Sequence, residues 1–574
     1  MASGFGPRNS FSLIWSMLKF LYPAAALFLL TARIATAQPF LPPTGGTTKP
    51  QAKPGQQRPA GAQAPTAAPT DWSLPYAAGI TPTGLQQDLN VLASDAYEGR
   101  KTGEKGQKMA ADYLVKAFAA DGLAGPVPNS DRPYLQHFAL NRLVPAASIQ
   151  VGSRTFFVNK DYYVLLRDAA TLGAGLRPTF IGYGISTAGY ADFDPATAPK
   201  GRDLVMLLGE PLTKAGQPLL GKAGRASDYG SPGFAEMMAR SPLRALTPRS
   251  TIRIALSTAV FAQVPALYKP MFEHQERISF PDEPAEAGAG SNVFIVSPEM
   301  GAAILGTTTA GLAQYENTVA AAGKPVASPF RPVPMQPVEL KETFITENVL
   351  GYLEGTNKKD EIVVVMAHYD HVGMEKGVVY NGADDDGSGT ASVLAMARAF
   401  AQAKKDGHGP RRSILFLANV AEELGLLGSR YYVTHPVFPL EKTVAALNID
   451  MLGRVDSLHT AQADYVYIIG DDRLSAELHT LSEGTNQQCT PLALDYKYND
   501  PKDPEHLYTR SDHFSFAQRN VPIIYYTSGL HADYHRSTDD ADKIDFPALA
   551  RRTQLVFRTA WALANRDTRV ALKP

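Results

Sequence analysis

Residues 361–389, EIVVVMAHYDHVGMEKGVVYNGADDDGSG, constrain the fold more than any other stretch of the chain. Within them, residues 362–366 are strand-forming and uncharged, and they lead into the polar cluster His368, Tyr369, Asp370 and His371. A buried parallel strand that ends in this way delivers its polar residues to the carboxyl edge of a sheet, where ligands gather in α/β folds. We therefore predict an α/β fold with a candidate site at the end of this strand.

Three consecutive aspartates, Asp384, Asp385 and Asp386, follow in the same stretch and precede an apolar helical run over residues 391–401. Adjacent carboxylates repel one another unless cations lie among them. A solvated acidic turn before a helix is the alternative, because aspartates favour the positive end of the helix dipole. The His-x-Asp pattern at the strand end just upstream favours the cation site.

The alternation of strands and helices after residue 340 predicts the fold class. Predicted strands cover residues 362–367, 413–419, 444–449, 465–469 and 523–526. Predicted helices cover residues 391–403, a segment through Tyr431, and residues 474–481 and 547–564. This order is typical of α/β proteins, here a mixed central sheet with helices on both faces, and it predicts an α/β domain over residues 343–566 with a C-terminal tail at 567–574.

The middle of the chain has a different character. Residues 77–145 show helical periodicity on either side of the polar stretch 92–103, LASDAYEGRKTG, which we interpret as a loop outside the core. Residues 146–342 contain short β-rich segments punctuated by Gly and Pro, which predicts an inserted β-rich domain. Because His274 is its only histidine, we interpret this domain as a lid, spacer or substrate-access element rather than a second active site.

The amino-terminal residues predict export. In residues 1–37, Arg8 precedes an apolar run, and the small residues Ala35-Thr36-Ala37 precede Gln38, as in a secretory signal with its cleavage site. Lys19 interrupts the run, which favours a signal cleaved near Ala37 over a retained anchor. We expect a periplasmic or secreted bacterial protein with no stable membrane span after cleavage. Residues 38–76 are rich in Pro, Gly and Ala and are expected to form a disordered linker.

Composition excludes several other classes. The 574 residues are 44% hydrophobic and 19% charged, which suits a globular protein with more than one core. The formal net charge of -1 provides no basic field for nucleic acid or an anionic membrane surface. The single cysteine, Cys489, forbids an intrachain disulfide, and we interpret it as a bystander rather than a nucleophile.

Further polar residues follow the later strands of the predicted sheet. Glu422 and Glu423 come directly after one strand, Asp450 follows the next, and His535 comes shortly after the last. A carboxylate in the apolar frame LNIDMLG needs a partner in order to be buried. If these two glutamates were the only such residues, we would interpret them as exposed residues at the start of a helix. Together with the polar residues at the other strand ends, they complete a set of metal ligands.

In this prediction two histidines and three carboxylates share one sheet edge: His368, His535, Asp385, Glu423 and Asp450. One bridging carboxylate would let this set hold two ions, with open positions for water and substrate. Histidine and carboxylate ligands without a thiolate favour zinc, and manganese or cobalt is also compatible. Glu422 remains as a candidate general base.

Six motifs carry a resemblance to a known family. In chain order they are AHYDH, NGADDDGSG, AEELGLLGS, NIDMLG, TRSDHFSF and YHRSTDD, and they closely resemble the M28 family of co-catalytic zinc metallopeptidases. The upstream segments LASDAYEGRKTG and AADYLVKAFAADGL resemble the amino-terminal part of bacterial members. GYGI with DLVMLLGEP resembles the protease-associated (PA) domain that some members carry before the metal-binding sheet.

The resemblance implies a role for each candidate residue. It implies two zinc ions per chain with Asp385 as the bridging ligand. The other implied ligands are His368 and Asp450 for one zinc and Glu423 and His535 for the other. It further implies Glu422 as general base, Asp370 as the carboxylate that orients His368, a cis peptide bond after Asp385, and Tyr508 as a residue that helps to stabilise the oxyanion.

The activity implied by the resemblance is that of an aminopeptidase acting on peptides with a free N-terminus. Carboxypeptidase, dipeptidase or glutaminyl-cyclase chemistry on the same sheet is the nearest alternative. A non-catalytic, receptor-like binding ectodomain is an alternative of another class, but it predicts missing ligands or a missing base, and none is missing here. His371 and His513 remain alternative ligands.

Overall fold

The computed structural model describes residues 71–168, 172–222, 225–230, 239–272, 277–283, 291–488 and 491–573. The predicted signal over residues 1–37, the linker up to residue 70, His274 and Cys489 lie outside the described residues.

The described strands are β1 (Leu135–Val151), β2 (Arg154–Phe157), β3 (Tyr162–Leu165), β4 (Pro178–Phe180), β5 (Ser186–Thr187), β6 (Tyr190–Ala191), β7 (Asp203–Leu207), β8 (Ser250–Ile254), β9 (Arg277–Ser279), β10 (Asn292–Val296), β11 (Met335–Leu353), β12 (Lys358–His368), β13 (Gly373–Glu375), β14 (Val378–Tyr380), β15 (Arg412–Asn419), β16 (Thr443–Ile449), β17 (Tyr465–Ile469), β18 (Ala493–Asp495) and β19 (Ile523–Thr527). Among these strands, one sheet has the order β18-β17-β19-β16-β12-β15-β11-β1-β2, with β9 paired to β1. A second sheet has the order β3-β10-β8-β7-β4.

The described α-helices are α1 (Ser73–Ala78), α2 (Pro82–Leu92), α3 (Lys105–Asp121), α4 (Thr258–Phe272), α5 (Pro298–Ile304), α6 (Thr309–Ala322), α7 (Gly389–Lys405), α8 (Leu427–Thr434), α9 (Ala476–Gln487), α10 (His513–Ala517) and α11 (Phe546–Asn565). None of these described helices combines the length and the hydropathy that crossing a bilayer requires.

Four neighbouring strands of the main sheet are parallel. β12 pairs in parallel with β15 on one side and with β16 on the other, and β16 pairs in parallel with β19. Their carboxyl ends therefore lie at one edge, where His368 is in register with Asn419 and Ile449 with Tyr526. β11 and β17 join this parallel centre in the antiparallel sense. The predicted mixed α/β class is confirmed.

Helices cover both faces of this sheet, as predicted. Because side chains alternate along a strand, β12 contributes to two cores. Val363 and Val365 belong to the core formed with α7 and α11. Val364 and Met366 belong to a second core with residues of α8 and α10. The strand is thus buried from both sides, which explains its uninterrupted apolar sequence.

A long two-stranded ribbon connects the two sheets. β1 and β11 pair antiparallel from Leu135 opposite Val349 to Val151 opposite Met335, with one irregularity between Val144 and Ser148. One end of the ribbon belongs to the main sheet, and the other end packs into the core around the second sheet. Residues 152–334 therefore leave and re-enter the main sheet through adjacent strands. This inserted part contains α4, α5 and α6 besides its strands, and its resemblance to a PA domain stays a prediction.

The structure corrects two predictions about the amino-terminal part. Helix α1 begins at Ser73, inside the predicted linker 38–76, and Asp71 contacts Arg558 Nη2 of α11 at 3.3 Å, so the folded body begins earlier than expected. The stretch 92–103 was expected to lie outside the core, but Arg100 and Thr102 are buried. Polar composition suggested exposure, whereas main-chain carbonyls and a carboxylate satisfy these side chains inside the protein.

Candidate metal centre

Each loop that follows one of the four parallel strands contributes to one polar cluster. His368 is the last residue of β12, Asp450 follows β16, and Glu422 and Glu423 lie three and four residues beyond the end of β15. His535 lies in the loop after β19. The shared edge of parallel strands brings these residues together although they are far apart in the sequence.

Asp385 lies at the centre of this cluster. Its Oδ1 is 3.2 Å from His368 Nε2, and its Oδ2 is 3.1 Å from His535 Nε2. The two oxygens of one carboxylate thus face two different histidines. This is the arrangement that a bridging ligand requires.

The remaining predicted ligands complete the two halves of the cluster. Asp450 Oδ1 is 3.7 Å from His368 Nε2, and Glu423 Oε2 is 3.0 Å from His535 Nε2. The structure therefore brings together all five residues that the sequence singled out, with His368 and Asp450 on one side of Asp385 and His535 and Glu423 on the other.

The three adjacent aspartates have different surroundings. Asp384 Oδ1 accepts a hydrogen bond from the main-chain N–H of Gly453 at 2.6 Å. Asp386 Oδ1 accepts from the main-chain N–H groups of Gly389 at 2.8 Å and Met451 at 3.1 Å. Asp385 lies between them, and the peptide bond from Asp385 to Asp386 is cis. Its two neighbours thus hold the backbone while the Asp385 carboxylate faces the histidines.

Two further residues, Asp386 and His371, lie close enough to the predicted ligands to be considered as ligands themselves. His368, Asp386 and Asp450 form one group of suitably spaced ligand atoms, and His371, Asp385 and Glu423 form another. Hydrogen bonds occupy both oxygens of Asp386, because Oδ1 accepts from the main-chain N–H of Gly389 and Oδ2 accepts from the main-chain N–H of His368 at 3.3 Å. We therefore assign Asp386 to the support of the loop.

His371 faces the same half of the cluster as His535. Its Nδ1 is 2.8 Å from Glu423 Oε1 and 3.8 Å from Asp385 Oδ2. The rings of His371 and His535 lie edge to face with centroids 5.8 Å apart. The sequence singled out His371 only as an alternative ligand, and the structure places it beside the predicted ligand His535.

Several buried polar atoms of the cluster have no hydrogen-bond partner among the described residues. They include His368 Nε2, Asp385 Oδ2 and Glu423 Oε1. Buried polar atoms without a partner are rare because leaving them unsatisfied is unfavourable. One cation in each half of the cluster would satisfy these atoms. Imidazole and carboxylate donors without a thiolate fit zinc and also manganese or cobalt.

The electrostatics of the cluster reflect burial and mutual contact. Burial raises the pKa of Asp385, but the close approach of His368 and His535 outweighs it and holds that pKa well below its ordinary value. Burial lowers the pKa of His535, but the neighbouring carboxylates of Asp385 and Glu423 raise it to about 10. These groups therefore favour their charged forms together, and metal binding at His535 would release its proton.

Glu422 lies beside the cluster without joining either half. Its Oε2 is 4.0 Å from His368 Nε2. Burial raises the pKa of Glu422 well above its ordinary value, the charges of Glu423 and Asp450 add to this, and His368 opposes it. A carboxylate that holds a proton readily and lies next to the ligands has the properties of a general base.

Asp370 contacts both His368 and the Glu422 backbone. Its main-chain oxygen is 3.1 Å from His368 Nδ1, and its Oδ1 is 3.7 Å from the same nitrogen. Oδ1 also accepts a hydrogen bond from the main-chain N–H of Glu422 at 3.2 Å. The residue thus contacts His368 mainly through its carbonyl, while its carboxylate supports the neighbouring loop.

Tyr508 and His513 have contacts of another kind. The guanidinium of Arg473 lies over the ring of Tyr508, 3.9 Å from its centroid. His513 Nε2 is 2.8 Å from the main-chain oxygen of Tyr508, and its ring stacks on Tyr525. The contacts described for these two residues do not include a member of the ligand cluster. The proposed role of Tyr508 in oxyanion stabilisation stays a prediction.

The sequence reasoning missed Tyr534 and Ser511. Tyr534 stacks on His535, and burial together with the charges of Asp385 and Glu423 raises its pKa. Ser511 Oγ donates a hydrogen bond to Asp450 Oδ2 at 2.6 Å. Adjacency to His535 in the sequence was the available signal for Tyr534, and the TRSDH motif was the signal for Ser511.

Comparison with known proteins identifies the family of the part of the chain that contains this cluster. Residues 348–560 match the sequence model of peptidase family M28. The chain therefore carries a peptidase family M28 domain. This domain contains all five predicted ligands together with Glu422, whereas residues 71–347 lie outside the matched range.

The M28 domain is similar to curated relatives over part of their length. Aminopeptidase YwaD of Bacillus subtilis is 40% identical over 110 residues, which are 19% of this chain and 22% of the relative. Leucine aminopeptidase 2 of Trichophyton rubrum is 29% identical over 266 residues, which are 42% of this chain and 48% of the relative. The chain thus spans less than half the length of these curated relatives.

Solved structures show more extensive but weaker similarity. A zinc aminopeptidase from Bacillus subtilis aligns with a TM-score of 0.45 and 18% identity over 86% of this chain and 98% of that chain. An aminopeptidase from Aneurinibacillus sp. strain AM-1 aligns with a TM-score of 0.46 and 15% identity over 88% of this chain and 98% of that chain.

Proposed function

We propose that this chain is an exported zinc-dependent aminopeptidase that uses two metal ions to remove N-terminal residues from peptides. The observation that carries the proposal is the Asp385 carboxylate, whose two oxygens lie 3.2 Å and 3.1 Å from the Nε2 atoms of His368 and His535. This arrangement suits two neighbouring ions with one shared ligand. The M28 match and the aminopeptidase names of the curated relatives support the assignment.

The ligands of the two ions are proposed as the structure groups them. His368 and Asp450 would hold one ion, and His535 and Glu423 the other, with Asp385 between them. His371 is a further candidate ligand for the second ion. When bound, zinc would supply a Lewis acid for the scissile carbonyl and would lower the pKa of a coordinated water from 15.7 to about 7.

Glu422 is proposed as the group that moves the proton. Its buried carboxylate accepts a proton from the attacking water and returns it to the nitrogen of the leaving amine. Its position beside His368, outside both ligand halves, leaves its oxygens free for this transfer. The Asp370 carboxylate accepts a hydrogen bond from the main-chain N–H of Glu422 and so fixes the backbone position of Glu422.

Specificity for a free N-terminus is proposed from the aminopeptidase names of the curated relatives. The further buried carboxylates near the ligands do not argue for it, because burial raises the pKa of Asp386 and of Asp512 and so favours their neutral forms. A substrate series with free and with blocked N-termini therefore tests this part of the proposal.

The test is to measure metal content and hydrolysis of aminoacyl-p-nitroanilides and their N-acetylated counterparts, before and after chelation. We expect two zinc ions per chain, cleavage of the free-amine series alone, and loss of activity on chelation with recovery when zinc is restored. Equal cleavage of the acetylated series would contradict the requirement for a free N-terminus. Zinc binding without cleavage of either series would favour carboxypeptidase, cyclase or binding roles, and absence of metal binding would contradict the metal centre.

A further inference from the structure

The segment Asp95–Arg100 and the two residues that follow it lie against the loops that carry the metal ligands. We call residues 95–102 the brace segment. It lies between α2 and α3, outside the residues that match the M28 family. The sequence predicted a loop outside the core, yet this segment contains a fully buried arginine and a buried threonine. Its contacts connect it to three separate parts of the candidate site.

Arg100 joins the loops on either side of the β13–β14 hairpin. Its side chain is 1% exposed, and it donates hydrogen bonds to the main-chain oxygens of Tyr369 at 2.8 Å, Asn381 at 2.6 Å and Gly382 at 2.9 Å. Tyr369 directly follows His368, and Gly382 lies three residues before Asp385. One rigid guanidinium thus sets the spacing between the chain segments that carry two of the ligands.

The charge of Arg100 also faces the acidic cluster. Burial lowers the pKa of Arg100, whereas the charges of Asp385, Asp370 and Asp386 raise it. No carboxylate accepts a hydrogen bond from this guanidinium among the hydrogen bonds described, so its charge is available to the cluster as a whole. A fixed cation behind several carboxylates reduces their mutual repulsion.

Thr102 contacts the carboxylate of Asp370, which in turn contacts the backbone of Glu422. Its Oγ1 donates a hydrogen bond to Asp370 Oδ2 at 2.7 Å, and Asp370 Oδ1 accepts from the main-chain N–H of Glu422 at 3.2 Å. Asp370 is fully buried. Without the hydroxyl, one oxygen of this buried carboxylate would lose its donor, and the carboxylate would turn toward other donors.

Gly99 allows the brace segment to lie directly against the β13–β14 hairpin. Its φ is +65°, and a Cβ at this position would overlap the main-chain oxygens of Gly373 and Tyr380 in the β13–β14 hairpin. A side chain here would separate the brace segment from the hairpin. The glycine therefore places Arg100 and Thr102 within hydrogen-bond distance of the ligand loops.

We propose that Arg100 and Thr102 are positioning residues of the metal centre. In this proposal Arg100 fixes the separation of the loops that carry His368 and Asp385, and Thr102 fixes the Asp370 carboxylate on which the Glu422 backbone rests. The part concerning Glu422 rests on the proposed function, and the part concerning the ligand loops rests on metal binding alone.

Thr102→Val tests the hydroxyl with little change in shape. We expect kcat to fall by about 10- to 100-fold, the range found for partners of metal ligands, with KM nearly unchanged because substrate contacts remain. Thr102→Ser restores the hydroxyl and should recover most of kcat. Thr553→Val is the matched control, since Thr553 in α11 is also buried and donates to a main-chain oxygen, that of Leu549. An equal kcat in the two valine variants, or failure of serine to recover kcat, would overturn the role of Thr102.

Arg100→Lys tests the loop spacing without relying on peptidase activity. Lysine keeps the charge but cannot reach all of these carbonyls, so we expect zinc affinity measured by calorimetry to fall by about 10- to 100-fold. The absorption spectrum of the cobalt-loaded protein should also change, because ligand geometry determines it. Arg412→Lys is the control and should keep the zinc affinity of the wild type: Arg412 is also buried and donates to the main-chain oxygens of Leu563 and Arg566, and in addition it pairs with Glu361, at the other end of β15.

The outcomes separate this proposal from the proposed function. Unchanged zinc affinity and cobalt spectrum in Arg100→Lys would overturn its role, whatever the activity of the wild type. If the wild type binds zinc but cleaves no peptide, the aminopeptidase assignment fails, while calorimetry and the cobalt spectrum still test Arg100. If Arg100→Lys does not fold, Thr102→Val and its serine counterpart decide the proposal through kcat.

Discussion

The ring of Tyr534 stacks on the ring of His535, with centroids 3.9 Å apart and planes at 23°. The Tyr534 hydroxyl accepts a hydrogen bond from Arg510 Nη2 at 3.2 Å, which leaves its own proton free to be donated. Tyr508, which the resemblance favoured, instead lies beneath Arg473. Because the ring of Tyr534 stacks on the proposed ligand His535, whereas no described contact joins Tyr508 to the ligand cluster, we propose Tyr534 in place of Tyr508 as the oxyanion donor.

Tyr534→Phe is therefore expected to lower kcat by about 10²- to 10³-fold, the effect of removing one oxyanion donor in other hydrolases. Tyr508→Phe is the matched control and should retain kcat close to that of the wild type. Steady-state kinetics on a free-amine p-nitroanilide measure both. A large loss in Tyr508→Phe with none in Tyr534→Phe would return the role to Tyr508.

Glu422 and its neighbour Glu423 are expected to respond differently to the same substitution. Glu422→Gln removes the proton acceptor but no ligand, so kcat should fall by about 10²- to 10⁴-fold while zinc content stays at the wild-type level. Glu423→Gln removes a ligand and should lower zinc content as well. Metal analysis of the purified variants together with their kinetics checks this, and an active, zinc-loaded Glu422→Gln protein would contradict the assignment.

Two helical glycines allow a paired stability measurement. A Cβ on Gly389, at the start of α7, would overlap the carboxylate of Asp386, so Gly389→Ala should lower the free energy of unfolding by about 1–3 kcal/mol through overpacking. A Cβ on Gly484 in α9 meets nothing within 4 Å, and Gly484→Ala should raise it by about 0.4–1 kcal/mol. Chemical denaturation measures both, and the same sign for the two substitutions would contradict the explanation.

We expect Asp456 to stabilise the folded protein by an amount that depends on pH. Burial raises its pKa, but hydrogen bonds from Tyr467 and His459 outweigh this and leave it below the ordinary value of 3.8. A lowered pKa in the folded state stabilises the protein above the unfolded pKa, and this contribution is lost as the pH falls through the folded pKa. Asp456→Asn should therefore be less stable than the wild type at pH 5 and pH 7, and the difference should shrink below pH 3.8. A constant difference across this range, measured by denaturation, would contradict the prediction.

The strand ends could be predicted because buried parallel strands have a distinct sequence pattern. Residues 362–366 are apolar on both faces, and polar residues begin where the strand reaches the edge of the sheet. The same logic applied to Asp450 and His535, whose positions after their strands brought them to the same edge. The placement of the candidate ligands at one edge of the sheet thus followed from the direction of their strands.

The roles of the individual side chains in the cluster were harder to predict from the sequence. The DDD motif does not show by itself that Asp384 and Asp386 bind backbone N–H groups while Asp385 faces the histidines, because this depends on the path of the chain between β14 and α7. His371 was ranked below His535, although both contact Glu423. Side-chain direction in loops depends on tertiary contacts that have no periodic signature.

The polar stretch 92–103 was misread for a related reason. Composition predicts exposure for a segment with this many charges, and Arg100 is an exception because main-chain oxygens distant in sequence surround it. The sequence of the segment shows the arginine that donates these hydrogen bonds, but it does not show which main-chain oxygens will accept them.

The ribbon of β1 and β11 makes the inserted part separable in a simple topological sense. Asn141 lies opposite Thr343, at a point where both strands still belong to the main sheet. A two-residue turn of the kind that closes ordinary hairpins could join the strands there without changing the register of β11 with β15 or of the parallel strands beyond it. Without residues 142–342 the sheet would lose β2 and β9, but the strands from β18 to β11, whose ends carry the candidate ligands, would keep their order.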